Sequence, residues 1–228
     1  MSELLIQSQT GRTLLRMYHL LRDHFGAQNW WPGETRLEVM VGAILTQNTN
    51  WGNVEKAIHN LKERGLLAIE TLHTISPEIL AREIRPAGYY NIKAKRLKNF
   101  VRFLMEHYAG SLENLDDEET EYLREQLLAV NGIGQETADS MRLYALERPL
   151  FVVDAYTHRI LFRHGMAEEQ VDYQDLQGMF VDNLPAEVDL FNEFHALIVR
   201  TGKAYCRTSP RCSDCPLEQW EQPFLLQE

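Results

Sequence analysis

The sequence predicts an all-α fold on three observations. Apolar residues recur at helical spacing in segment after segment, helix-start signals precede several of these runs, and alternating strand pattern is almost absent. The stretch LFVVD at 150–154 is the only short β-branched run.

Leu14, Met17, Tyr18, Leu21 and Phe25 mark a first amphipathic helix. A second carries Leu37, Met40, Val41, Ile44 and Leu45, opened by the capping-box pattern of Thr35 and Glu38. Val54, Ala57, Ile58 and Leu61 give a third. Ser76 followed by Pro77 starts a fourth, which should end before Pro86 and Gly88. A fifth runs from about Lys93 to Tyr108 with Leu97, Phe100, Val101 and Leu104 inward, and further helices are expected at about 120–129, 136–146, 155–164, 173–183 and 187–200.

With 228 residues, 44% of them hydrophobic, the chain is long and apolar enough for one large core or two small ones. No low-complexity linker or solenoid repeat is present, so a second domain should pack on the first. The expected division is a bundle over 35–148 and a discontinuous lobe of 1–34 with 149–228. No apolar run approaches bilayer length, and the start MSELLIQSQTGR lacks the basic and apolar regions of a signal peptide. The cytoplasm is therefore the expected location, at the nucleoid if the source is prokaryotic. Nothing signals an oligomeric interface, so a monomer is expected.

The formal charge of -10 weighs weakly against a nucleic-acid partner, but binding is local. NIKAKRLKNFVR (91–102) and THRILFRHG (157–165) are basic, while acid gathers in ENLDDEETE (113–121). A solvated helix face would show the same runs.

Two helical patterns flank the turn in LREQLLAVNGIGQETADSMRLYAL, where Gly132 and Gly134 permit positive φ and close backbone approach. Amide groups at the start of the second helix, around Gln135 and Thr137, can then hold a phosphate. An ordinary helical hairpin fits the same pattern. Downstream, ERPLFVVDAYTHR carries Asp154 to the start of another helix, where Asp is a favoured cap.

These motifs together resemble the helix-hairpin-helix DNA glycosylase superfamily, the endonuclease III family in particular. Along with NGIG and VVDAYTHR, the resemblance includes VGAILTQNT (41–49) and IRPAGYYNIKAKRL (84–97), and it covers most of the chain. It implies a catalytic Asp154, double-stranded DNA with a damaged base as partner, and a Gln47 that reaches into the DNA gap. DNA is expected in a cleft between the lobes, with Asp154 at its mouth. Phosphate contacts are expected at Gly132, Gly134 and the amides after them, at Arg159, and at some of Lys93, Lys95, Arg96 and Lys98. Members that also break the strand place a Schiff-base lysine where this chain has Glu136, so the resemblance implies a glycosylase without lyase activity.

The expected base pocket is aromatic, because a flipped base is read by stacking and shape. NWWPGE (29–34) and TQNTNW place Trp30, Trp31, Pro32 and Trp51 near one site, and with GIGQETAD they look most like the 3-methyladenine glycosylase branch. On that resemblance Trp31 and Trp51 sandwich the base. Lys203 matches a pocket lysine, and Leu197 stands where the branch has another. A glycosylase for damaged or mismatched pyrimidines is the alternative enzyme, and a non-catalytic DNA-binding protein the alternative of another class.

Cys206, Cys212 and Cys215 are too few and odd for a disulfide framework. Their C-x5-C-x2-C spacing departs from the four-thiolate loop of endonuclease III-type iron–sulfur proteins, and the fourth position is Glu221. A degenerate loop without a 4Fe-4S cluster or zinc, and no other cofactor, is expected.

Overall fold

The computed structural model describes residues 8–218 and 220. Among these the fold is all-helical: α1 (Gln9–Phe25), α2 (Arg36–Leu45), α3 (Trp51–Glu63), α4 (Ile69–Thr74), α5 (Pro77–Glu83), α6 (Tyr90–Tyr108), α7 (Thr120–Ala129), α8 (Gln135–Ser140), α9 (Ala155–Arg163), α10 (Tyr173–Val181) and α11 (Val188–Ala204). A π-helical turn, Met141–Ala145, continues α8 directly. The β-branched run at 150–154 forms no strand. Its residues Leu150 to Val153 are buried in the connection into α9, with Phe151 stacked flat on Phe180 at 3.7 Å.

The chain divides into two compact units, Met1–Trp30 with Pro149–Glu228, and Trp31–Arg148. The break falls at Trp31 rather than at 35, since Trp31 packs on Trp51 and Tyr144. In the discontinuous unit, α11 packs on α1 and α9, and α10 packs on α1.

In the continuous unit α2 is the central helix. Every residue from Glu38 to Leu45 is buried, so a helix expected to be amphipathic is enclosed on all faces, by α3, α6, α8 and the π turn. Thr35 caps it by accepting from the Glu38 amide at 3.1 Å. The Glu38 carboxylate pairs with Lys62 at 2.9 Å.

Two buried cations organise this unit. Arg142, 2% exposed, donates to Asp139 at 2.7 Å and to Glu121 at 2.7 Å, and Arg124 reaches Asp139 at 3.2 Å. Asp139 lies on α8 and Glu121 and Arg124 on α7, so the network joins the helices on either side of the glycine turn. Lys93, 1% exposed, donates to the carbonyls of Leu45 and Ala87, both at 2.8 Å. This corrects the expected phosphate contact at Lys93: the ammonium closes the C-terminus of α2 against the turn before α6, where helix carbonyls lack partners. Lys98 is used in the same way, donating to the carbonyls of Leu72, His73 and Ile75 at the C-terminal end of α4. Of the four cations between 93 and 98, Lys95 is the exposed one.

Asp139→Ala removes one partner of a buried pair, and unfolding free energy in urea should fall by about 3 kcal/mol or more. A loss below about 1 kcal/mol would sink that account. Burial, with the nearby Arg96, lowers the Lys93 pKa to about 8, while the unfolded chain holds the proton up to the ordinary 10.5. Between those values the unfolded state binds more protons, so this group adds stability as pH rises and loses it as pH falls through the folded value. The stability of the unmutated protein relative to Lys93→Met should therefore increase from about pH 8 to about pH 10. A difference independent of pH would contradict it.

Candidate active site and nucleic-acid interface

In the discontinuous unit the site is built on the first turn of α9. Asp154 is its N-cap, in a complete capping box: Oδ1 accepts from the Thr157 amide at 2.8 Å and from its hydroxyl at 2.9 Å, and Thr157 Oγ1 accepts from the Asp154 amide at 3.4 Å. Thr157 is fully buried, so the carboxylate is fixed by a rigid partner. The second oxygen, Oδ2, lies 3.8 Å from Nε2 of the buried His195 on α11. Burial lowers the His195 pKa, against the pull of Asp154 and with Lys203 adding to the lowering. Lys203 is lowered by burial too, opposed by Asp154 and reinforced by Arg200, and its Nζ stands 6.0 Å from the Trp30 ring centroid. Asp154, Lys203 and Trp30, expected from sequence, thus share one site, and His195 is a member the sequence did not announce.

Gly202 explains how α9 and α11 come so close there. A Cβ on it would lie 2.2 Å from Tyr156 Cδ1, so the Tyr156 ring rests on bare backbone one residue before Lys203. Arg159, expected as a DNA contact, instead donates to the Cys206 carbonyl at 2.8 Å with its guanidinium 4.9 Å from the Tyr156 ring centroid. It holds the end of α11.

In the continuous unit three segments form one edge. The first is the turn after α2 with Gln47, the second is the turn before α6 with Tyr89, and the third is the glycine hairpin. Gln47 does not project: its Nε2 donates to the Gly132 carbonyl at 3.0 Å and to Thr137 Oγ1 at 2.9 Å, and its Oε1 accepts from Arg96. Thr137, also expected at DNA, is buried and its hydroxyl is taken by Gln47. Gly132 has φ +103, and a Cβ on it would lie 2.3 Å from Arg96 Cγ, so glycine is required there twice over. Gly134 does not use positive φ: at φ -98 it caps α8, with no atom within 4 Å of an added Cβ. Open space beside the α8 amides suits an approaching phosphate. Gln135 is half-buried and Glu136 is exposed, both in the first turn of α8. Tyr89, which sequence reasoning did not single out, is the most exposed large hydrophobic among the described residues at 70% and has φ +46. The Lys93 bonds hold its turn beside the end of α2.

The tryptophans part company. Trp31 and Trp51 meet edge to face, with centroids 5.0 Å apart and planes at 84°, which leaves no slot between them for a sandwiched base. Tyr144, from the π turn, adds a third ring at 5.0 Å from Trp31. The cluster sits over Gly42, where a Cβ would lie 3.4 Å from both tryptophans. Pro32 is exposed beside it.

A 4Fe-4S cluster takes four thiolates, and the chain carries three cysteines. Cys206 is buried, and Arg163 donates to its Sγ at 3.2 Å. Cys212 is exposed, and burial raises the pKa of the Cys215 thiol. Among the described residues no three ligating side chains converge on a metal position, and Glu221 lies outside them. The loop is held by hydrogen bonds, Arg163 donating to the carbonyls of Arg207 at 2.6 Å and Thr208 at 3.2 Å.

Comparison with known proteins fits this geometry. Residues 41–185 match the model of the HhH-GPD superfamily base excision DNA repair proteins. A protein of Methanocaldococcus jannaschii whose name calls it a DNA repair glycosylase is 48% identical over 208 residues, 91% of this chain and 94% of that one. Endonuclease III of Thermotoga maritima is 29% identical over 181 residues, 79% of each chain. Among solved structures, the H. pylori 3-methyladenine DNA glycosylase bound to 1,N6-ethenoadenine superposes with a TM-score of 0.71 at 31% identity, covering 85% of this chain and 97% of that one. The chain therefore belongs to the HhH-GPD superfamily of base excision DNA repair proteins, as a DNA repair glycosylase that acts on N-glycosyl bonds.

Proposed function

We propose that the chain is a monofunctional glycosylase that flips an alkylated purine, such as 3-methyladenine, out of double-stranded DNA and hydrolyses its N-glycosidic bond. The observation that carries it is the division of labour at Asp154: one oxygen is fixed by Thr157 and the other is left for chemistry. An ionised carboxylate there stabilises the positive charge that develops on the sugar as the base departs, or orients the water that attacks C1′. The base leaves with the bonding electron pair, and water supplies the hydroxyl that replaces it.

Alkylation of the purine weakens the bond and spreads positive charge over the base, so aromatic faces attract it by stacking and by cation–π interaction. In the continuous unit the cluster of Trp31, Trp51 and Tyr144 supplies such faces, and the H. pylori relative holds an ethenoadenine. Glu136 offers no amine to the sugar, so the strand stays intact. The enzyme works as a monomer, without a metal cofactor, on DNA in the cytoplasm. No helix among the described residues is long and apolar enough to cross a membrane. The likeness to endonuclease III favours a second reading, a glycosylase for damaged pyrimidines.

Duplexes carrying a methylated purine, uracil or thymine glycol separate these readings. Release of methylpurine, with strand breakage only after alkali, supports the first; breakage without alkali, or release of a pyrimidine alone, replaces it with the second. Asp154→Asn keeps an oxygen for the α9 cap, so the protein should fold and bind DNA while base release drops by about 10²-fold or more. Unchanged release would make Asp154 a cap and nothing more. Tyr89→Ala should weaken DNA affinity by about tenfold, the loss of one stacking contact, and titration of a labelled duplex checks it.

A further inference from the structure

Arg96 lies in a basic run on a glycosylase, where a phosphate contact is the ready assumption. Its surroundings point elsewhere. Lys93, Arg96 and Asn99 are spaced by three along α6 and share one face of that helix. Each holds a different backbone segment. Lys93 bridges the carbonyls of Leu45 and Ala87 at 2.8 Å each. Arg96 donates to Gln47, which in turn donates to the Gly132 carbonyl at 3.0 Å, and the aliphatic stem of Arg96 fills the space a Cβ on Gly132 would occupy. Asn99 donates to the Asn131 carbonyl at 2.9 Å.

We propose that this face of α6 is an internal clamp that sets the spacing of the three DNA-facing segments, and that Arg96 is a positioning residue that acts on DNA through Gln47 and Gly132. The inference rests on the reading that this edge meets DNA. A clamp and a phosphate contact differ in two measurable ways. A cation that neutralises a phosphate releases a counterion, and losing it lowers the slope of log affinity against log salt by about one. A residue that acts through another also loses its effect when that other residue is removed.

The test is affinity for a labelled duplex with an abasic-site analogue, at several salt concentrations, for the unmutated protein, Arg96→Met, Gln47→Ala and the double variant. The clamp predicts that Arg96→Met loses about tenfold in affinity with an unchanged salt slope, and that in the Gln47→Ala background the same change costs less than about twofold. Lys95→Ala, exposed on the same helix, is the internal standard and should lower the slope by about one. A slope lowered by Arg96→Met, with additive effects, would overturn the inference and make Arg96 a phosphate contact. Should methionine at this half-buried position fail to fold, Arg96→Gln removes the charge and answers the slope question. Failure of the unmutated protein to bind the duplex would overturn instead the reading on which the inference rests.

Discussion

The proposed chemistry of this chain depends on a carboxylate that is also a helix cap. A free aspartate samples rotamers and leaves its charge poorly aimed. Asp154 is held by the amide and hydroxyl of a buried threonine, so its orientation is set by the same bonds that start α9. Any group brought to Oδ2 meets an acceptor already in place, which is how electrostatic stabilisation avoids reorganisation during reaction. The bland role and the sharp one are two oxygens of one side chain. His195 and Lys203, both pushed toward neutrality by burial, complete surroundings in which that oxygen is the focus.

A second theme is where positive charge goes in an acidic protein. Arg142, Lys93, Lys98, Arg159 and Arg163 have their donors on carboxylates, on main-chain carbonyls or on a thiol. They act as fasteners for helix ends and loops that lack their own partners. The guanidinium of Arg163 does this for the cysteine loop, giving that stretch a fixed shape from ordinary hydrogen bonds.

The helices with strong period or caps were legible: α1 to α3, α5 to α7 and α9 to α11 all lie where apolar spacing or a Ser, Thr or Asp start signal put them. The six-residue α4 was not, being too short to show a period. Burial was the larger gap. α2 read as amphipathic and is enclosed, because a sequence shows which residues are apolar but not how many neighbours arrive. Lys93, Thr137 and Arg159 read as surface groups for the same reason, since charge and polarity along a chain do not reveal which carbonyls will need a donor. Asp154 was legible because its motif is local. His195, a single histidine in an apolar run, and Tyr89, conspicuous only by its exposure and left-handed backbone, carried no local signal.

The π-helical turn at Met141–Ala145 has a consequence for the aromatic cluster. Its hydrogen bond spans five residues, Leu146 to Met141, so the turn holds more chain than an α-helical one and shifts the downstream side chains around the axis by a whole residue. Tyr144 reaches Trp31 from that turn. Its backbone position on the helix axis is set by the number of residues in the turn. Removing or adding one residue in the turn would swing that position about the axis by roughly 100°, so the backbone beneath the aromatic cluster can be rotated only in discrete steps.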